Sequence, residues 1–83
     1  MTSEITNSFY KTLGEKIRKA RTKRGISIGM LSKTLGVTRA TVYHWEYGMH
    51  QPSIIRVTEL HKALGVPLWN LLPTEEELEE EEI

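Results

Sequence analysis

A single glycine between two short, capped helical segments is the feature that most constrains how this chain can fold. Ser27 is a good N-cap for residues 28–35, and Gly36 is the residue type that best tolerates the left-handed turn ending such a helix. Thr38 is the next good N-cap, and it opens the segment 39–47, which is apolar on one side only. The sequence therefore predicts two helices joined by a tight turn. The residues expected to face the core from this unit are Leu31, Leu35, Val37, Val42 and Trp45.

Three more helices are predicted around this pair. Apolar residues recur at helical spacing from Leu13 onward, opposite a basic face, so an amphipathic first helix is expected. Ser53 can cap a further helix, and Pro67 opens a last short helix over 68–72. We predict an all-α domain of five helices, without strands, spanning residues 9–73. Its remaining core-facing residues are Leu13, Ile17, Ala20, Ile54, Val57, Leu60, Leu64 and Leu71.

The length and composition of the chain restrict its class. At 83 residues it is shorter than an average domain and is expected to form a single core. It has no cysteine, which removes disulfides and thiolate chemistry and is typical of a reducing cytoplasm. No apolar run approaches the roughly 20 residues of a membrane span, and residues 1–10 lack the features of a signal peptide. We therefore expect a soluble, cytoplasmic protein.

The formal net charge of zero hides an uneven distribution of charge along the chain. Between Phe9 and Pro73 there are eleven lysines and arginines against three glutamates, which gives this body a net charge of +8. Seven of the eleven acidic residues lie in the tail, 74–83, around a single leucine. A compact domain with that excess of positive charge attracts polyanions, of which nucleic acid is the most common.

The two ends of the chain carry no convincing core pattern. Residues 1–8 are polar and without periodicity, so a flexible N-terminal arm is expected. The acidic tail, 74–83, should be extended and disordered, because blocks of like charge repel one another. The opposite charge of the body suggests a hypothesis for the tail, in which it folds back transiently on the basic face and competes with nucleic acid.

Four stretches of the sequence point together to one family. They read IRKARTKRGIS, LSKTLGVTRATVYHWEYG, QPS and LHKALGVPLWNLL, between about Phe9 and Leu72. They resemble the phage-repressor and Cro type of helix-turn-helix domain, the lambda-repressor-like or Xre family. The resemblance implies a five-helix domain that binds double-stranded DNA without a cofactor, with its third helix in the major groove. It further implies a regulator of transcription, in the first place a homodimeric repressor that reads a palindromic operator.

The resemblance places the base-reading residues on the third helix. Arg39 can donate a bidentate pair of hydrogen bonds to guanine O6 and N7, a contact worth about 1–3 kcal/mol of discrimination. The methyl group of Ala40 can meet a thymine methyl. The chemistry of the other positions is less diagnostic. The five residues that fall where the family reads bases are Thr38, Arg39, Ala40, Tyr43 and His44.

Three other groups of residues are expected to support binding. Arg21 and Glu46 stand where the family often pairs an arginine of the first helix with a glutamate that ends the third, which would fix the recognition helix to the scaffold. An apolar group near the end of the domain is expected to form the two-fold interface, with Leu71 in the core. The interface residues are Leu68, Trp69 and Leu72. The expected phosphate contacts are Ser27, Lys33, Thr41, His50, Gln51 and Arg56.

Ile28 and Gly29 depart from the family pattern at the start of the second helix. The family commonly has a glutamine at the first of these positions, where its side chain touches a phosphate, and Ile28 cannot make that contact. Gly29 should weaken the helix by about 0.5–1 kcal/mol relative to alanine. His61 stands where the family prefers a small apolar residue, and we expect it to be partly buried.

Two further classes of function are weighed against DNA binding. An enzyme is not expected, because the chain has no cysteine and no aspartate and its acidic residues outside the tail lie singly among basic ones. His44, His50 and His61 lack metal-ligand spacing, so no metal is expected. The alternative that stays open is a helical protein-interaction module or an antitoxin-type protein that binds a partner, with the acidic tail keeping DNA away. The polar, cationic outer face of the third helix favours DNA.

Overall fold

Caps and tight turns divide the chain into helices. The computed structural model describes the backbone of residues 2–82 and the side chains of residues 7–78. The helices are α1 (Thr2–Lys23), α2 (Ile28–Leu35), α3 (Arg39–Glu46), α4 (Ile54–Leu64), a short 3₁₀ helix (Leu68–Asn70) and α5 (Glu75–Glu82). No strand occurs in residues 2–82, and no helix there combines the length and hydropathy that a membrane span requires. The predicted all-α fold is confirmed, although the short helix expected over 68–72 is a 3₁₀ helix.

The helix boundaries follow the predicted caps. The hydroxyls of Ser27, Thr38 and Ser53 each accept the backbone N–H of the residue three positions further on, at 3.0–3.2 Å. Gly36 ends α2 with a φ of 69°, in the left-handed region, and its N–H donates to a carbonyl of the last turn. The connection between α2 and α3 is therefore only three residues long. At the other end of α3, the helix stops at Glu46, one residue before the predicted end.

The core lies between α1, α2, α3 and α4. All of its buried apolar residues belong to the set predicted to face inward, and they are Leu13, Ile17, Leu31, Val42, Trp45, Val57, Leu60, Leu64 and Leu71. The prediction was wrong for Ile54, whose side chain is 68% exposed. Ile54 is the first residue of α4, and the first buried residue of this helix is Val57.

Both ends of the chain differ from the flexible segments that were expected. Residues 2–8 continue α1 rather than forming an arm, because extending an existing helix adds one hydrogen bond for each residue fixed. In the tail, the N–H of Thr74 donates to Oε1 of Glu77 at 2.7 Å and the N–H of Glu77 donates to Oγ1 of Thr74 at 3.2 Å. This reciprocal capping box starts α5, and glutamates in its first turn oppose the positive end of the helix dipole. Met1 and Ile83, the outer ends of the two segments, lie outside the described residues.

Candidate nucleic-acid interface

The third helix, α3, has one buried face and one exposed face. Val42, Trp45 and Glu46 point inward and are no more than 5% exposed. The opposite side is polar, and Tyr43 on it is 46% exposed. Of the five predicted base-reading residues, four are exposed and the fifth, His44, is half-buried. The exposed residues are Thr38, Arg39, Ala40 and Tyr43.

A buried ion pair holds the C-terminal end of α3 on α1. Nε of Arg21 donates to Oε2 of Glu46 at 2.6 Å, and Nη2 donates to Oε1 at 3.0 Å. Nη1 donates to the carbonyl of Ile26 at 2.9 Å, which ties the same guanidinium to the loop before α2. The hydrogen bond to Glu46 raises the pKa of Arg21, although burial opposes it, so this side chain stays charged. The structure thus joins the two residues that the family resemblance had paired.

Gly14 brings α1 and α3 into close contact, and sequence reasoning missed it. A Cβ at this position would overlap the carbonyl oxygen of Trp45 and lie 2.5 Å from the carbonyl oxygen of Glu46. Only a residue without a side chain allows the last turn of α3 to approach α1 so closely. The sequence contained a signal, because a glycine inside a helix costs about 1 kcal/mol relative to alanine and is therefore unexpected there without a packing role.

The departures at the start of α2 acquire a structural explanation. Ile28 is half-buried and packs against the core instead of facing outward. Gly29 lies under the guanidinium of Arg39, since a Cβ built on Gly29 would be 2.8 Å from Nη2 and 3.0 Å from Cζ. Arg39 therefore rests against the first turn of α2 although it is an exposed residue. His61 is half-buried, as expected, and its Nδ1 lies 3.0 Å from the carbonyl oxygen of Val66.

A row of aromatic rings extends the outer face of α3 towards α1. The rings of Tyr43 and Tyr47 have centroids 4.6 Å apart, and the guanidinium of Arg18 lies 5.3 Å from the ring centre of Tyr47. Such a cation over an aromatic face is held by the ring quadrupole. Tyr47 follows Tyr43 by one helical turn, so the sequence contained the signal for this pair, whereas the approach of Arg18 depends on tertiary packing.

The predicted phosphate contacts differ in how their side chains are already used. Lys33, His50 and Gln51 are exposed. The hydroxyls of Ser27 and Thr41 belong to the caps of α2 and α3, where Oγ1 of Thr41 lies 2.8 Å from Oγ1 of Thr38. Nη1 of Arg56 donates to the carbonyl of Leu35 and to Oε1 of Glu59, both at 2.9 Å. Arg56 therefore also joins the end of α2 to α4. Among the described side chains, those of residues 7–78, no three histidine or acidic groups come together as metal ligands would.

The apolar group after α4 is split between core and surface. Leu71 is fully buried, as predicted, while Leu68 and Leu72 are half-buried against the core. Trp69 is 74% exposed, the highest value among the large apolar side chains of the described residues. Trp69 therefore leaves a large apolar side chain uncovered next to the half-buried Leu68 in the chain.

The acidic helix α5 is attached to α1 through Lys16. Nζ of Lys16 donates to the carbonyl of Leu72 at 3.1 Å and pairs with Oε1 of Glu77 at 2.9 Å. The N–H of Thr74 lowers the pKa of Glu77 most, and Lys16 lowers it further. The first turn of the tail thus has a defined position beside α1.

Comparison with known proteins now gives the family. A family model described as helix-turn-helix matches residues 17–68, more than half of the chain. The chain therefore belongs to the helix-turn-helix domains of the phage-repressor and Cro type, as the resemblance implied. The uncharacterized HTH-type transcriptional regulator YgzD of Bacillus subtilis is 34% identical over 62 residues, covering 75% of this chain and 94% of the relative.

Two solved structures share the fold over most of the chain. The DNA-binding domain of BldD has 31% sequence identity and a TM-score of 0.71, covering 78% of this chain and 94% of that domain. The restriction-modification controller protein C.AhdI of Aeromonas hydrophila has 27% identity and a TM-score of 0.72, covering 76% and 96%. An HTH-type transcriptional regulatory protein of Methanocaldococcus jannaschii is 31% identical over 75 residues, 90% of this chain. The chain spans only 24% of the length of that archaeal relative.

Proposed function

We propose that this chain is a sequence-specific DNA-binding regulator of transcription that reads the major groove with α3. The observation that carries the proposal is the division of α3 into two faces. The inner face is buried and held by Arg21 through Glu46, whereas the outer face is exposed, polar and without acidic side chains. A major groove about 12 Å wide accepts a helix of this kind, and the body charge of +8 draws it to the duplex.

Base reading is assigned to the exposed residues at the start and middle of α3. Arg39 pairs with guanine through O6 and N7, and Ala40 packs on a thymine methyl. Tyr43 and His44 reach bases or sugars one turn further along, and Thr38 lies at the edge of the groove. Phosphate contacts then fix the register of the domain without carrying sequence information. They are assigned to Ser27, Lys33, Thr41, His50, Gln51 and Arg56.

We further propose that the regulator acts as a homodimeric repressor at a palindromic operator. Trp69 supplies the centre of a two-fold contact, flanked by Leu68 and Leu72, because its large apolar side chain is exposed beside theirs. Two copies joined in this way would place their α3 helices about 34 Å apart, one turn of DNA. Occupying an operator blocks other proteins from it, which makes repression the simplest consequence. We place this regulator in the cytoplasm, in a cell whose DNA also lies there.

The test is selection of DNA from a random duplex library by wild type and by Arg39→Ala. Wild type should enrich a two-fold-symmetric site, and the variant should lose preference at one position in each half-site while binding the rest as before. Affinity for the enriched site should fall as salt rises, since phosphate contacts release counterions. Failure to enrich any sequence, with only weak binding that disappears in salt, would contradict the proposal and leave a protein-interaction module as the function.

The dimer is tested separately by sedimentation. Trp69→Ala should be more monomeric than wild type. It should also weaken binding to the symmetric site far more than binding to a half-site. Met30→Ala is the matched control, because Met30 is also a large apolar side chain, 58% exposed, on a different helix. Equal self-association of wild type and Trp69→Ala would refute the assignment of the interface.

A further inference from the structure

Gly29 and Arg39 form a contact that joins the two helices of the helix-turn-helix unit. Gly29 is the second residue of α2, and Arg39 is the first residue of α3. A Cβ on Gly29 would lie 2.8 Å from Nη2 of Arg39 and 3.0 Å from both Cζ and Nε. Carbon and nitrogen atoms that are not bonded pack at about 3.5 Å or more. The guanidinium thus occupies the space that any side chain at position 29 would need.

The backbone of Gly29 gives no reason for a glycine at this position. Gly25, Gly36, Gly48 and Gly65 have positive φ angles, but Gly29 does not and lies inside the regular α2 helix. Glycine is a poorer helix former than alanine, so its presence here works against the helix. What the missing side chain provides is room for Arg39. The space that Gly29 leaves open is therefore used by a residue outside α2.

We infer that Gly29 is a specificity-determining position, because it forms the seat that orients the Arg39 guanidinium for base reading. This inference rests on the proposed function, in which Arg39 reads a guanine. An unrestrained arginine samples many rotamers, whereas one that packs on a neighbouring helix has fewer rotamers open to it before it meets DNA. A bidentate contact needs the planar guanidinium in one orientation, so its discrimination depends on that seat.

Substitution of Gly29 separates this role from a merely structural one. Gly29→Ala should leave the thermal midpoint unchanged or raise it, because alanine favours helix and the atoms it displaces are the flexible end of Arg39. The same variant should lower discrimination at the base pair read by Arg39 by about tenfold, within the range expected for losing a bidentate contact. Gly29→Met, which fills the seat completely, should lower it at least as much. Met30→Ala, a neighbouring exposed change that leaves the seat open, should leave discrimination unchanged.

The readout is a ratio of affinities for the selected duplex and for duplexes with one base pair exchanged. Each ratio is measured for wild type, Gly29→Ala, Gly29→Met, Met30→Ala and Arg39→Ala, and for the double variant of positions 29 and 39. In the Arg39→Ala background, Gly29→Ala should no longer change any ratio. If Arg39→Ala relaxes one position while both Gly29 variants keep wild-type ratios, the inference is overturned and the proposed function stands. If Arg39→Ala relaxes no position, Arg39 reads no base and the inference fails with that part of the proposal.

Discussion

Removing the guanidinium of Arg21 leaves the carboxylate of Glu46 buried without its cation. Arg21→Met keeps most of the aliphatic part of the arginine side chain. It leaves Glu46 without its cation, although the Glu46 side chain is 0% exposed. Breaking a buried pair by deleting one partner typically costs about 3–5 kcal/mol, because the remaining charge is uncompensated. In a domain of this size each kcal/mol lowers the melting temperature by about 4–8 °C. We therefore expect Arg21→Met to lower it by roughly 12–40 °C.

The companion variants show which part of this loss is due to the stranded charge. Replacing both partners, as in Arg21→Met with Glu46→Leu, removes the charge and should recover most of the stability. Urea denaturation followed by far-UV circular dichroism gives the free energy of unfolding for wild type, both single variants and the double variant. The coupling energy from this cycle should be well above that of an exposed pair, about 0.2–1 kcal/mol.

A small effect would refute the reasoning about how α3 is held. If Arg21→Met loses less than about 1 kcal/mol, the pair contributes no more than a surface ion pair does. The close approach at Gly14 and the buried apolar face would then be sufficient to position α3. If the double variant is as unstable as Arg21→Met, the lost hydrogen bond to the carbonyl of Ile26, rather than the stranded charge, is the larger contribution.

Other contacts of α1 and the tail predict measurable effects. Gly14→Ala should lower the free energy of unfolding by about 1–3 kcal/mol in urea denaturation, despite better helix propensity, because its methyl would overlap the carbonyl oxygen of Trp45; a stabilised variant would contradict the close approach. Because the folded pKa of Glu77 is lowered, its stabilising contribution is complete above the unfolded pKa and is lost as pH falls through the folded pKa. Carboxyl-carbon NMR titration should show this low pKa, and Lys16→Met should raise it; an unchanged value would exclude Lys16 as a cause. Deleting residues 74–83 removes seven glutamates and should tighten nonspecific DNA binding at low salt, measured by fluorescence anisotropy, whereas unchanged binding would refute competition by the tail.

Features set by short-range rules could be predicted from the sequence. Ser27, Thr38 and Ser53 cap helices because a hydroxyl before a helical segment satisfies an N–H that the helix itself leaves open. The buried residues follow from helical periodicity in the same way. Ile54 shows the limit of periodicity, since it continues the apolar spacing of α4 back to the first residue of the helix, where the side chain is 68% exposed.

Contacts between helices far apart in sequence could not be predicted from local patterns. The role of Gly14 depends on which turn of α3 meets α1, and that of Gly29 depends on the direction of the Arg39 side chain. The pairing of Arg21 with Glu46 was expected only through the family resemblance. The tail was expected to be extended because only the repulsion between its charges was considered. The capping box of Thr74 and Glu77, which starts a helix there, was overlooked.

The short length of α3 explains why so many contacts converge on it. An eight-residue helix is marginal in water, since isolated helices of fewer than about 12–15 residues rarely form. Its order must come from packing, and the structure supplies this through the buried face of α3 and through the Glu46 pair at its last residue. All of these attachments lie on one side, which leaves the outer face available without loosening the helix. Changes to the attachments should therefore alter stability or orientation, whereas changes to exposed Tyr43 should alter binding alone.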